Sequence, residues 1–456
     1  MADERTALLA HLMRRAGVGA TQDELGTLAE RPYEAVVEDL LHPERFPEPD
    51  DDVLYRYYPQ MTAPDTTGAS AGRWVYRMVN TERPLEEKMA LFWHHVFATA
   101  WFKGEHMLSM ADQIQTFRQF GLGKMRDLLI ALSRDPAMIN WLDNCENHRD
   151  APNENYGREL LELFSMGIGA YDETDVKMAG RAFTGWTFEQ PIPLYPHGAY
   201  PARFVYRPED HDDSEKTFLG ETGPFNGEDV VDIIVRQEAT ARFIARHLYN
   251  FFVADEPQVA AWSVQEPNDP EAIEMLATVF LEREGDLRAV MRTLLNADFF
   301  KQARFAKVKS PAEFVAGVLK LSGTLQDATP LMGTLQTAMG AMGQKLLDPP
   351  SVEGWHTGKE WIDGGTLMER VNFAVQQVGD PQAPGTRALA GRLAKGDAPA
   401  AEVLVEGCLE AAGPLDASTE TRETLLAGAA TGAGAHDERV ARMLTLVVAA
   451  PEYQFA

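Results

Sequence analysis

Between Asn153 and Glu162 the chain reads Asn-Glu-Asn-Tyr-Gly-Arg-Glu-Leu-Leu-Glu, a dense run of carboxyls, amides and one guanidinium. Pro152 suits the first turn of a helix, and carboxylates favour its positive end, so a helix should open here. At helical pitch Asn155, Glu159 and Glu162 form one stripe with Glu154 and Arg158 beside it, while Leu160, Leu163, Phe164 and Gly167 fall on the apolar face. Glu159 and Glu162, three residues apart, are close enough to cooperate or to share a cation. Two outcomes follow. Enclosed at a cleft, one glutamate has its pKa set by burial and works as general acid or base. Left in solvent, Glu154, Arg158 and Glu162 make an ion-paired surface network.

Two other places offer side chains that could join this chemistry. His94 and His95 lie in PLEEKMALFWHHVFATAW, a segment apolar nearly all round and therefore expected to be buried. A buried histidine needs a partner, and adjacent helix positions point about 100° apart, so the two should not face one site. His94 either bonds a backbone or carboxylate group or meets the Glu154–Glu162 helix across the core, where histidine plus carboxylates suits acid–base work or a divalent metal. His211 sits among Asp210, Asp212, Asp213 and Lys216 in an acidic loop that could hold a cation or place a substrate. Trp186, Trp355 and Trp361 lie beside glycines, where tryptophan either stacks on sugars or plugs a helical core. No metal-ligand set is assigned and no cofactor is specified: the chain has no Walker A loop, HExxH, GxSxG or CxxC.

The elements that must position these residues are overwhelmingly helical. Helical periodicity covers about 6–16, 22–41, 84–101, 108–120, 122–133, the stretch after Pro152, a segment ending at Gly185, and most of 227–378. Residues 43–70 read as a long excursion that Tyr55, Tyr57 and Tyr58 could anchor. Residues 186–226 turn rich in Pro, Gly and aromatics, with ARFVYRP and KTFLG as strands of a small ribbon; a loop that long is more often functional than idle. The fold class expected is all-α, a multi-helix array with a small β/loop insertion. Four parts are expected, packed as one continuous unit: 1–185, the insertion 186–226, a second helical part 227–378 with the Trp-rich loop 346–366, and an Ala/Gly-rich helical segment 379–456.

A formal charge of −27 argues against a phosphate-backbone partner, so no nucleic acid is expected. No apolar run approaches the roughly 20 residues of a bilayer span, and no transmembrane segment is expected. The start of the chain reads as an amphipathic helix rather than a leader, which makes the cytoplasm the default, and export would need a leader outside this sequence. Cys145 and Cys408 allow one disulfide at most. Composition leaves the oligomeric state open.

The run RDPAMINWLDNCENHRDAPNENYGRELLELFSMGIGAYDETDVKMAGRAFTGW resembles the core signature of the bacterial family catalogued as domain of unknown function 1800. Further segments resemble it in the same order: LMRRAGVGAT, EKMALFWHHVFAT, HDDSEKTFLGETGPFNGEDVVDII, ATARFIARHLYNFF, VKSPAEFV, DPPSVEGWHTGKEWIDGGTLMERVNFA and APEYQF. The resemblance implies a mainly helical protein. Many relatives look exported and are encoded beside sulfatase- or phosphatase-like proteins, which hints at envelope or polysaccharide chemistry. Asn153, Glu154, Asn155, Arg158, Glu159, Glu162, His211, Lys216, Trp355 and Arg370 match the pattern. The family's WHxHF becomes Trp93-His94-His95-Val96-Phe97, with Val96 where the second histidine is expected.

These residues support a carbohydrate-active hydrolase or lyase. Glu154, Glu159 and Glu162 would supply acid and base with help from His94 and His211, and Asn153, Asn155, Arg158, Lys216, Trp186, Trp355, Trp361 and Arg370 would hold a glycan. The alternatives are a metal- or haem-dependent helical oxidoreductase using His94 with a glutamate, and a non-catalytic scaffold or binding protein. Convergence of His94, Glu154, Glu159, Glu162 and His211 within about 10 Å in a cleft would favour an enzyme, and their dispersal would favour the scaffold.

Overall fold

The Pro84–Val96 helix forms the centre of the molecule because no side of it is polar enough to meet water: Leu85, Met89, Phe92 and Trp93 are all fully enclosed. The computed structural model describes residues 4–50, 52–57, 67–104, 107–190, 201–257, 262–394, 400–431 and 434–456. Tyr58, the middle of the 186–226 insertion and two of the joints expected in 379–435 lie outside them. Around the central helix pack Thr67–Asn80, Met107–Phe120 and Glu238–Phe252, the last with Phe251 and Phe252 set 5.3 and 5.9 Å from Phe92. One apolar cluster of buried residues runs from Leu9 to Tyr453. No helix among the described residues is long and apolar enough to cross a membrane.

Local chemistry sets most helix starts. Ser310 and Glu313 cap Pro311–Ser322 reciprocally, with Pro311 in its first turn. Asp172 and Asp175 do the same for Glu173–Ala182. The single helix expected over 22–41 is two, Gln22–Ala29 and Tyr33–Leu40, because Pro32 cannot donate to the preceding turn. The helix expected from Pro152 starts at Asn155, since Asn153 turns back to accept the Asn155 N–H at 2.9 Å.

The insertion holds two antiparallel ribbons rather than one. Strands β1 (Trp186–Glu189) and β2 (Arg203–Tyr206) pair with Trp186 opposite Tyr206. Strands β3 (Lys216–Phe218) and β4 (Glu221–Gly223) are joined by Leu219 and Gly220, both at positive φ, the two-residue turn that matches strand twist. Cys145 and Cys408 are both free thiols.

The Asn155–Glu162 helix lies almost against Glu173–Ala182, because glycines meet at the crossing. A Cβ on Gly157 would stand 2.7 Å from the Gly180 nitrogen. Gly157→Ala should therefore cost about 1–3 kcal/mol through overpacking. A urea midpoint equal to that of the parent chain would refute the close crossing.

Candidate functional site

The loop before the Asn155–Glu162 helix consumes most of its own polar groups. Asn147 donates to Gly180 O at 2.8 Å and to Asn144 Oδ1 at 3.0 Å, and accepts the Asn153 N–H at 2.8 Å. Asn144 donates to Trp186 O at 2.8 Å. Asn153 and Asn155 both reach back to Asp143, a left-handed residue that Lys103 holds at 2.7 Å. The asparagines of the signature stretch thus bind backbone and fix the helix to its neighbours. Arg158 makes a two-pronged pair with Glu173 at 2.9 and 2.7 Å and touches Glu154 at 3.5 Å. Of the network expected between Glu154, Arg158 and Glu162, the Glu154 arm forms and Glu173 takes the place of Glu162.

That leaves Glu159 and Glu162. Glu162 accepts the Tyr171 hydroxyl at 3.1 Å. Glu159 is half-buried, and its carboxyl meets no hydrogen-bond donor among the described residues. Burial first, and then the neighbouring Glu162 charge, raise its pKa to about 7, with Glu353 from the Trp-rich loop adding a third negative charge. Three segments therefore bring carboxyls and one phenol to a single face.

The other expected participants lie elsewhere. His94 has no exposure and its Nε2 accepts the Leu347 N–H at 3.0 Å, so it holds the Trp-rich loop rather than the glutamate helix. Burial lowers its pKa to about 3. Trp355 wedges against both histidines, edge-on to His94 at 5.1 Å and parallel to His95 at 6.2 Å; one ring reaches two faces that a single small site could not. Val96 is a core residue, 5% exposed. His211 bonds Thr184 O at 3.0 Å, and Lys216 donates to Asp212 O and Ser214 O, so the acidic loop closes on itself and on the end of Glu173–Ala182. Trp186 donates to Asn226 Oδ1 at 2.8 Å. Trp355 and Trp361 sit with Val308 in a small apolar cluster. The three indoles expected to stack on sugars are each at most 5% exposed. His94, Glu159 and His211 thus serve three separate places. Among the described residues no three His, Cys, Asp or Glu side chains stand together as a metal site.

Arg370 leads to a feature that residue types did not suggest. It is fully buried, donates from Nη2 to Lys309 O at 2.7 Å and lies 5.1 Å over Phe314. Beside it Glu313 binds Lys88 and, at 3.4 Å, Arg15, while Lys307 pairs with Asp255 at 2.9 Å. Arg14, Arg15, Lys88, Lys307, Lys309 and Arg370 are each under a tenth exposed, and among the described residues their carboxylate partners are Glu313 and Asp255. In a chain of net charge −27, this is a concentrated positive interior. The available signal was Lys88 itself: a cation inside a helix apolar all round must be paired.

The sequence model of the family described as "Protein of unknown function (DUF1800)" matches residues 11–455. No curated protein and no solved structure matches the chain.

Proposed function

The chain belongs to the DUF1800 family, a near full-length kinship that carries no activity with it, and we propose that it is an acid–base enzyme of the hydrolase or lyase class working at Glu159. The observation that supports this is the half-buried Glu159 carboxyl, raised to about 7 beside Glu162. A carboxyl at that value is half-protonated near neutrality, the state that both gives and takes a proton. Glu162, receiving the Tyr171 hydroxyl, is the partner carboxyl, and two neighbouring acids in unlike surroundings divide the acid and base roles. The substrate class in this reading is a glycan. The exposed Asn155 and the partly exposed Glu154 offer sugar hydroxyls an amide and a carboxylate beside Glu159. His94, His211 and the three indoles act on this face only indirectly, by fixing the segments that flank it.

Glu159→Gln should lower turnover of a responsive glycan by roughly 10²- to 10⁴-fold with no loss of thermal stability. Reducing-end-labelled oligosaccharides of varied linkage make the assay. Carboxyl NMR should show one glutamate titrating near 7 that vanishes in Glu159→Gln and moves down in Glu162→Gln. Every glutamate titrating in the ordinary carboxylate range would defeat the proposal. The enclosure of His94, His211, Lys216 and all three tryptophans favours a second reading, a non-catalytic scaffold. Saturable oligosaccharide binding without turnover would select it.

A further inference from the structure

One cavity is lined by none of the residues of the Glu159 face and does not depend on them. It has a volume of about 310 Å³ and is enclosed by the turn after the Glu4–Arg15 helix, by Pro311–Ser322, by Pro384–Leu393 and by the final residues of the chain. At about 30 Å³ per water, that is room for roughly ten waters, more than a bare inorganic ion needs. Two kinds of wall meet there. Val18, Leu321, Ala388 and Leu389 present carbon, while Arg14 and Lys309 present charge.

These two cations differ from the others at the cavity. At its rim Lys320 pairs with Glu24 at 3.1 Å, and Arg392 pairs with Asp23 at 2.6 Å. Glu313, which also lines it, is taken by Lys88 and Arg15. Arg14 and Lys309 are 7% and 8% exposed, and among the described residues neither pairs with a carboxylate. Arg14 gives one N–H to Gly413 O at 2.6 Å, and its Nε has no partner. Lys309 donates to Tyr453 O at 2.6 Å and stands 3.9 Å over the Tyr453 ring. Buried charges are ordinarily paired, and these two are bonded only to neutral groups. Burial and the nearby Arg14 and Arg370 charges hold the Lys309 amine well below its usual range. Both features are what a site for a negative head group requires, and the local charge outweighs the acidic mean field of the chain.

We propose that this cavity binds a small organic anion, with its oxyanion head between Arg14 and Lys309 and a compact apolar body against Val18, Leu321 and Leu389. A carboxylate and a phosphate monoester share this chemistry. The anion neutralises the charge at Arg14 and Lys309, and the aliphatic wall adds the apolar surface it covers.

Calorimetric titration of the full chain with hexanoate, hexyl phosphate, hexanol and inorganic phosphate tests it. Saturable binding of hexanoate or hexyl phosphate is expected, at least tenfold tighter than either hexanol or inorganic phosphate, and the tighter of the two identifies the head. Lys309→Met should weaken that binding at least tenfold. Ala388→Phe, which fills the cavity from an exposed position and leaves the buried cations in place, should abolish it with the circular dichroism melt unchanged. The proposal is overturned if neither amphiphilic anion binds, if hexanol binds equally, if inorganic phosphate binds as well, or if binding persists in Ala388→Phe.

Discussion

Glu313→Ala should destabilise the protein by about 3–5 kcal/mol, the cost of leaving buried cations without their counter-charge. Glu313 is 4% exposed and uses both oxygens. One receives Lys88 and Arg15; the other accepts the Ser310 N–H at 2.7 Å and closes the capping box of Pro311–Ser322. Lys88 also donates to Gly17 O at 2.9 Å, and Arg15 to Phe252 O at 3.0 Å, so neither cation can swing out to water without breaking other bonds. Burial alone would push the Glu313 carboxyl up; Lys88, Arg15 and Lys307 outweigh it and hold the group far below the usual carboxylate range. A depressed carboxyl contributes stability above its unfolded pKa, and that stability fades as pH falls below about 4.3. Urea unfolding at pH 7 measures the substitution. The paired change Lys88→Met with Glu313→Met should recover part of the loss, because it removes a charge of each sign. A loss below about 1 kcal/mol for the single substitution would place the network in water rather than in the core.

How much of this was legible follows from how far each partner lies along the chain. Helix starts at Pro84, Pro311 and Asp172 depend on residues within one turn, and the pattern displays them. Ser310-x-x-Glu313 is a readable capping box, yet it reveals only the local half of Glu313; its other oxygen serves Lys88, 225 residues away. The asparagines after Asp143 resemble ligands on paper, and they satisfy backbone groups of Gly180 and Trp186, whose proximity only the fold creates. Glu159 was visible as one of three equivalent glutamates. What separates it is its burial and the charges of Glu162 and Glu353 around it, and periodicity within one helix cannot express that. Arg14 and Arg15 end an apolar helix as a surface terminus would, but the carbonyls they bind lie far along the chain, at Gly413 and Phe252. Polar residues whose roles depend on distant backbone were the illegible part.

Acid should unfold this protein early. His11, His94 and His247 are lowered to about 3 and His95 to about 4, in each case chiefly by burial. A histidine lowered on folding is neutral in the native chain while the unfolded chain binds a proton below about 6.5, so its contribution to stability is lost as pH falls through that window. Buried acids oppose this, among them Glu86, which burial and the Glu87 charge raise. Burial raises Asp135 and Glu159 to about 7, and each takes up a proton in the folded chain that the unfolded chain refuses until near 4. Four histidine protons favour the unfolded state against those of Asp135 and Glu159, which leaves at most about two, and the raised Glu86 and the partial exposure of His95 and His247 reduce that further. A net proton or so corresponds to a loss on the order of 1–2 kcal/mol per pH unit between roughly 6.5 and 4.5. Urea unfolding at pH 7, 6 and 5 reads the slope directly; a flat or rising profile would contradict it. His94→Gln isolates one term, since a glutamine oxygen can still accept the Leu347 N–H while nothing at that position titrates. Its slope should fall by about one proton, or about 1.4 kcal/mol per pH unit. An unchanged slope would mean that the folded chain already carries that proton, and then Nε2 could not be the acceptor that holds Leu347.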